Sequence, residues 1–163
     1  MPPKTYFREL AEVYPMKILL VEDSKFLRQA TGRALARAGY DMSFAADGDE
    51  ALLMANAKQP DLILLDMMLP KMSGLEVLKA LKKEPATEAI PVVVLTGLSQ
   101  ANSERLRCDG AFVFLAKTDL ALDQGEEFLL DAVRKIIMEL PGPARAQAMR
   151  SEWVSYIVRR RAA

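Results

Sequence analysis

The chain has 163 residues, 51% of them apolar, which is enough for one domain with a proper core and argues against global disorder. Its 22 basic and 22 acidic side chains cancel, so any attraction to nucleic acid or an anionic membrane has to come from a local patch. One cysteine, Cys108, and no histidine exclude an internal disulfide, a Cys/His zinc site and a Ser-His or Cys-His nucleophile pair, and point to a reducing compartment.

The amino terminus, MPPKTYFREL, lacks the basic and apolar segments of a signal peptide, and no apolar run approaches the roughly 20 residues that span a bilayer, so a soluble, cytoplasmic protein is expected. Residues 1–15 read as an extension: Tyr6, Phe7, Leu10, Val13 and Tyr14 share one apolar face, with Thr5 placed to cap a short helix and Pro15 to end it. From residue 16 short apolar runs recur, the first being Lys17 to Val21. A helix follows, with Phe26, Leu27, Ala30, Ala34, Leu35 and Ala38 at helical spacing, Ser24 to cap it and Gly39 to stop it. Next come a strand over Met42 to Ala45 and a helix over Gly48 to Lys58, carrying Ala51, Leu52 and Ala55. The strand Leu62 to Leu65 precedes a helix over Gly74 to Lys83, with Leu75, Leu78 and Leu81 on one side. After the strand Pro91 to Leu95, the interval Ser99 to Cys108 is the weakest helix, because Ala101, Leu106 and Cys108 are its sole apolar residues. The strand Ala111 to Leu115 leads to the clearest stripe: Phe128, Leu129, Ala132, Val133, Ile136, Ile137 and Leu140. Strand and helix alternating in this way predict an α/β fold, a doubly wound parallel sheet with helices on both faces. In such folds functional groups gather beyond the carboxyl ends of the strands.

Those ends are polar directly after buried runs: Glu22-Asp23, Asp66, Thr96, and Lys117 just past the fifth strand. Converging carboxylates repel one another unless a cation is present, and oxygen ligands suit a hard divalent ion; Mg2+ fits, since it takes one or two carboxylates plus phosphate oxygens. A hydroxyl and an ammonium opposite would complete a cage for a transferred phosphoryl group, with the central carboxylate as nucleophile.

The set Glu22-Asp23, Asp66, Thr96 and Lys117, together with the segment DMMLPKMSG at residues 66–74, resembles the receiver domain of bacterial two-component response regulators over residues 16 to about 140. The resemblance implies a flavodoxin-like five-stranded sheet of order 2-1-3-4-5. It also implies that Asp66 accepts a phosphoryl group from the phosphohistidine of a sensor histidine kinase or phosphotransfer protein. Asp23, Asp66, Glu22 and the backbone carbonyl of Met68 would hold Mg2+. Thr96 and Lys117 would reach phosphoryl oxygens, Gly97 would keep the approach open, and Pro70 and Gly74 would shape the loop after Asp66. Phe114 would be the switch aromatic that moves inward with Thr96. Thr118 stands where the family usually has a proline after the lysine. Such a domain is not a general enzyme, since it assists reactions of its own aspartate alone.

Residues 16–140, the expected receiver domain, carry 15 basic and 19 acidic groups, whereas residues 141–163 carry five and one. After Pro141-Gly142-Pro143 that basic tail reads as a helix with Met149, Trp153, Tyr156 and Ile157 on one side. The terminal helices either pack on the receiver or on each other, or the tail pairs two copies into a homodimer or docks on a histidine kinase or another acidic partner. Nucleic acid or anionic lipid is the least favoured, because four net charges without a helix-turn-helix pattern make a thin footprint. A stand-alone phosphoacceptor that signals through protein-protein contacts is therefore expected. The alternatives are a transcription regulator that binds DNA through the tail and a binding module that is not phosphorylated.

Overall fold

The computed structural model describes residues 15–97, 107–117 and 126–140, with the Thr96 side chain left aside. Among these residues the elements run β1 (Lys17–Val21), α1 (Lys25–Arg37), β2 (Asp41–Ala45), α2 (Gly48–Lys58), β3 (Leu62–Asp66), α3 (Gly74–Lys83), β4 (Val92–Thr96), β5 (Val113–Ala116) and α4 (Glu126–Glu139). All neighbouring strands are parallel and the sheet order is β2-β1-β3-β4-β5, as the sequence resemblance implies. The amino-terminal segment, most of the interval Ser99 to Cys108 and the tail carrying Met149, Trp153, Tyr156 and Ile157 lie outside the described residues. No helix among the described residues is long and apolar enough to cross a membrane.

Alternation along each strand builds two cores. Ile18 and Leu20 of β1, Leu62 and Leu64 of β3, and Val93 and Leu95 of β4 face α1 and α4, packing with Leu35, Leu129, Val133 and Ile137. The intervening residues, Leu19, Val21, Ile63, Leu65, Val92 and Val94, face α2 and α3 and meet Ala51, Ala55, Val77, Leu78 and Leu81. Central strands buried on both faces need apolar residues at every position, which is why LILL and VVVL carry no polar-apolar alternation.

Two residues of the apolar stripes turn outward. Phe26 is 74% exposed and Phe128 is also exposed. Each lies nine residues before a buried anchor, Leu35 and Ile137, so at 3.6 residues per turn it sits about 180° around the helix from that anchor. The buried face of α1 is instead Thr31, Gly32, Ala34 and Leu35, and α3 and α4 bury Val77 and Leu130, which the stripes had omitted.

Helix starts follow side-chain caps. The Ser24 hydroxyl accepts from the Leu27 N–H, Asp47 accepts from Glu50, and Ser73 with Glu76 closes a reciprocal capping box. Gly39, at φ 99, takes the left-handed conformation just past α1.

The start of α3 is pressed against the end of β3. A Cβ at Gly74 would stand 2.4 Å from the Asp66 carbonyl oxygen and 2.6 Å from the Met67 Cα, and neither backbone atom can swing aside. Gly74→Ala is therefore expected to lower unfolding stability by about 2–3 kcal/mol in urea denaturation. Gly32→Ala is the control: its Cβ meets the ring of Phe44, which is partly exposed and can move, so a smaller loss is expected. Equal losses would contradict this account of the loop.

Candidate functional site at the carboxyl edge of the sheet

Strand register levels the site. Val21 pairs with Leu65, so Glu22 and Asp66 emerge side by side, and Asp66 in turn pairs with Leu95. Thr96 pairs with Ala116, which puts Lys117 one residue beyond. The five predicted positions thus converge on one edge because three strand pairings end within a residue of one another.

Glu22, Asp23 and Asp66 each offer a carboxylate oxygen, and these oxygens all lie within 4.8 Å of one another. Glu22 and Asp66 are buried, while Asp23 is exposed at the mouth. The Lys117 ammonium reaches across from β5, donating to Asp66 Oδ2 at 2.8 Å and lying 3.3 Å from Glu22 Oε2. The other Asp66 oxygen, Oδ1, accepts from the Met68 N–H at 3.0 Å, so the carboxylate is held at both ends. Glu22 Oε1 accepts from the Ser24 N–H at 3.1 Å.

The electrostatics follow from crowding. Burial pushes the Glu22 carboxyl above the usual carboxylate range and the charge of Asp66 adds to the push, with the Ser24 N–H and Lys117 opposing. Burial disfavours the Lys117 ammonium, but the hydrogen bond and charge of Asp66, then the charge of Glu22, outweigh it and hold its pKa above the ordinary lysine value. Among the described residues one ammonium directly contacts this cluster of three carboxylates, which leaves the cluster short of positive charge, and the ligand atoms the carboxylates offer are oxygens. That combination fits a small hard divalent cation such as Mg2+.

A carboxyl whose folded pKa is raised contributes stability below its unfolded pKa and loses it as pH rises through the folded value. At neutral pH the charged Glu22 therefore strains the metal-free fold. Glu22→Gln is expected to raise the melting temperature without metal by a few degrees at pH 7.5, with the gain shrinking toward pH 4, and to weaken Mg2+ binding. A lower melting temperature without metal would contradict the sign.

The remaining expected residues are placed as follows. Met68 is 71% exposed at the rim and touches Asp66 through its N–H, a contact the sequence resemblance did not include. Gly97 is exposed, and a Cβ there would meet nothing within 4 Å. Phe114 is half-buried against the α2/α3 core, with the Arg107 guanidinium 5.3 Å from its ring centroid, within cation–π range. The Thr96 hydroxyl and the bond from Lys117 to Thr118 fall outside the described residues. Sequence reading missed Arg28, whose Nη1 donates to the carbonyls of Glu22 and Asp23 at 2.7 and 3.2 Å. Arg28 lies five residues after Asp23 and is one of several basic residues on α1, so residue type alone carries no signal for this contact.

The family model of the response regulator receiver domain matches residues 18–124. Polar-differentiation response regulator DivK of Brucella anthropi is 35% identical over 104 residues, covering 63% of this chain and 85% of that protein. The gliding motility regulatory protein of Myxococcus xanthus is 34% identical over 122 residues, 74% of this chain but 15% of that much longer protein. The alkaline phosphatase synthesis transcriptional regulatory protein PhoP of Bacillus subtilis is 44% identical over 80 residues, which is 32% of its length. The chain thus spans less than a third of the latter two relatives. Among solved structures, the chemotaxis response regulator CheY4 of Vibrio cholerae superposes with a TM-score of 0.67 at 32% identity, covering 75% of this chain and 98% of CheY4. The match over residues 18–124 contains every one of the converging strand-end residues, and on that ground the chain belongs to the response regulator receiver domains of two-component systems.

Proposed function

We propose that this chain is a phosphoacceptor: Asp66 takes a phosphoryl group from a histidine kinase or phosphotransfer protein, with Mg2+ bound, and the phosphorylated domain signals by binding other proteins. The observation that carries the reading is the Lys117 ammonium poised between two buried carboxylates, 2.8 Å from Asp66 and 3.3 Å from Glu22, beside a third at the mouth. These 163 residues contain no histidine, so the phosphohistidine that this reading calls for lies outside them.

In the transfer, an Asp66 carboxylate oxygen forms a bond to phosphorus as the bond from phosphorus to the donor nitrogen or oxygen breaks, and the leaving group keeps that electron pair. The Met68 N–H and the Lys117 ammonium each hold one oxygen of the Asp66 carboxylate and so fix its orientation. Lys117 supplies positive charge to the incoming oxygens, and Thr96, the last residue of β4, is the residue to which the family resemblance gives a phosphoryl oxygen. Glu22, Asp23, Asp66 and the Met68 carbonyl are the residues that would hold Mg2+, which would supply positive charge to offset the negative charge gathered there during transfer. Phe114, three residues before Lys117, is the aromatic proposed to respond to Thr96. The domain turns over its own aspartate and acts on no other substrate. Incubation with acetyl phosphate and Mg2+ tests the reading: uptake of one phosphoryl group per chain, absent when EDTA replaces Mg2+, is the expected result. No uptake would leave a binding module in its place.

A further inference from the structure

We infer that Arg28 is a positioning residue for the cation-binding turn, setting the placement of Glu22 and Asp23 through their backbone carbonyls. The inference rests on the proposed Mg2+ site. The turn leaves β1 at Val21, and its first residue is anchored by the Glu22 N–H donating to the Ala45 carbonyl at 3.1 Å. Past that point no sheet pairing holds the backbone. The Arg28 guanidinium takes over: one nitrogen donates to the Glu22 carbonyl at 2.7 Å and to the Asp23 carbonyl at 3.2 Å. With both carbonyls tied to α1, the backbone that carries the two carboxylates is fixed at the distance from Asp66 at which all three offer an oxygen within 4.8 Å. The Ser24 N–H then fixes the Glu22 carboxylate itself.

Arg28 is held in turn by the helix. Its N–H donates to the Ser24 carbonyl at 2.8 Å, and Ser24 is the α1 cap, so the turn, the cap and the clamp form one closed loop of hydrogen bonds over seven residues, Glu22 to Arg28. A guanidinium suits the task because the two N–H groups of one terminal nitrogen are fixed in the plane of the group and can bridge two neighbouring carbonyls, whereas a lysine ammonium on a flexible stem holds its donors in no such plane. Three carboxylates within 4.8 Å repel one another, so a turn held by fewer bonds would relax outward and widen the cation site.

The effect of charge alone runs the other way. A cation near an Mg2+ site weakens Mg2+ binding, so removing a purely electrostatic Arg28 would tighten it. Sign therefore separates the two roles. The full chain and its Arg28→Met and Arg28→Lys variants are titrated with Mg2+ and with Mn2+ by calorimetry, and each metal-free protein is melted in parallel. Positioning predicts that both variants bind either ion about 3- to 10-fold more weakly, with Arg28→Lys no more than partly restored. Tighter binding by Arg28→Met with unchanged binding by Arg28→Lys would overturn the inference in favour of charge. Lowered melting temperatures with unchanged affinities would overturn it in favour of a role in folding alone. If one variant does not fold, the other decides by the same criteria. Absence of divalent-ion binding by the unaltered chain would instead refute the proposed site, and the inference with it.

Discussion

Replacing Asp66 with asparagine is expected to abolish phosphoryl uptake from acetyl phosphate while leaving the fold intact. Asp66 ends β3, is 1% exposed, and stands at the centre of the pocket, with Lys117 on Oδ2, the Met68 N–H on Oδ1, and Glu22 and Asp23 within 4.8 Å. An amide keeps the shape and can retain one accepting oxygen, but it has no anionic oxygen to bond phosphorus. The rate should therefore fall to background rather than by a modest factor. The substitution also removes one of two buried, mutually repelling charges, so stability without metal should hold or rise. Uptake measured by intact mass, with urea denaturation alongside, separates these effects. Undiminished uptake by Asp66→Asn would place the acceptor elsewhere.

Replacing Lys117 with methionine should carry the second large effect, and it should be on stability as well as on transfer. The ammonium is 29% exposed and faces side chains of Glu22 and Asp66 that are 5% and 1% exposed. Removing one partner of a buried pair costs about 3–5 kcal/mol; with the lysine partly wetted, about 2–3 kcal/mol is expected at pH 7.5 without metal. The pH dependence follows from the raised pKa of Lys117 and the raised pKa of Glu22. Lysine contributes while it is charged and its carboxylates are ionised, so the deficit should be full near neutrality. It should shrink as pH falls and Glu22 takes up a proton. Mg2+ should restore part of the stability, because it meets the same shortage of positive charge, but it should not restore phosphoryl uptake. Equal stabilities of the variant and the parent across pH 5–8 would contradict the pairing.

The architecture was legible because the central strands announce themselves. LILL and VVVL can be apolar throughout where both faces are covered, and the turn residues between elements mark the crossovers. The bounds of β1 stand as expected and those of the other strands moved by one or two residues, with β3 and β4 each running on to the functional residue itself, Asp66 and Thr96. Phe26 and Phe128 were placed on buried faces because an apolar side chain in a helical window says nothing of which face the helix presents; a nine-residue offset from the true anchors turns both outward. The acidic pair, Asp66 and Lys117 were readable at strand ends because polar residues directly after buried runs have few structural reasons to be there. Arg28 was not readable, since its function is to bind backbone carbonyls, and carbonyl direction leaves no trace in residue type. The Met68 N–H on Asp66 escaped for the same reason.

The central claim is that the buried Asp66 carboxylate becomes an acyl phosphate. Borohydride reduces that anhydride to the alcohol, converting the phosphorylated aspartate into homoserine, which peptide mass spectrometry locates. After incubation with acetyl phosphate and Mg2+, homoserine is expected at position 66 and nowhere else, and none when EDTA replaces Mg2+. Homoserine at position 23, or none under either condition, would contradict the account.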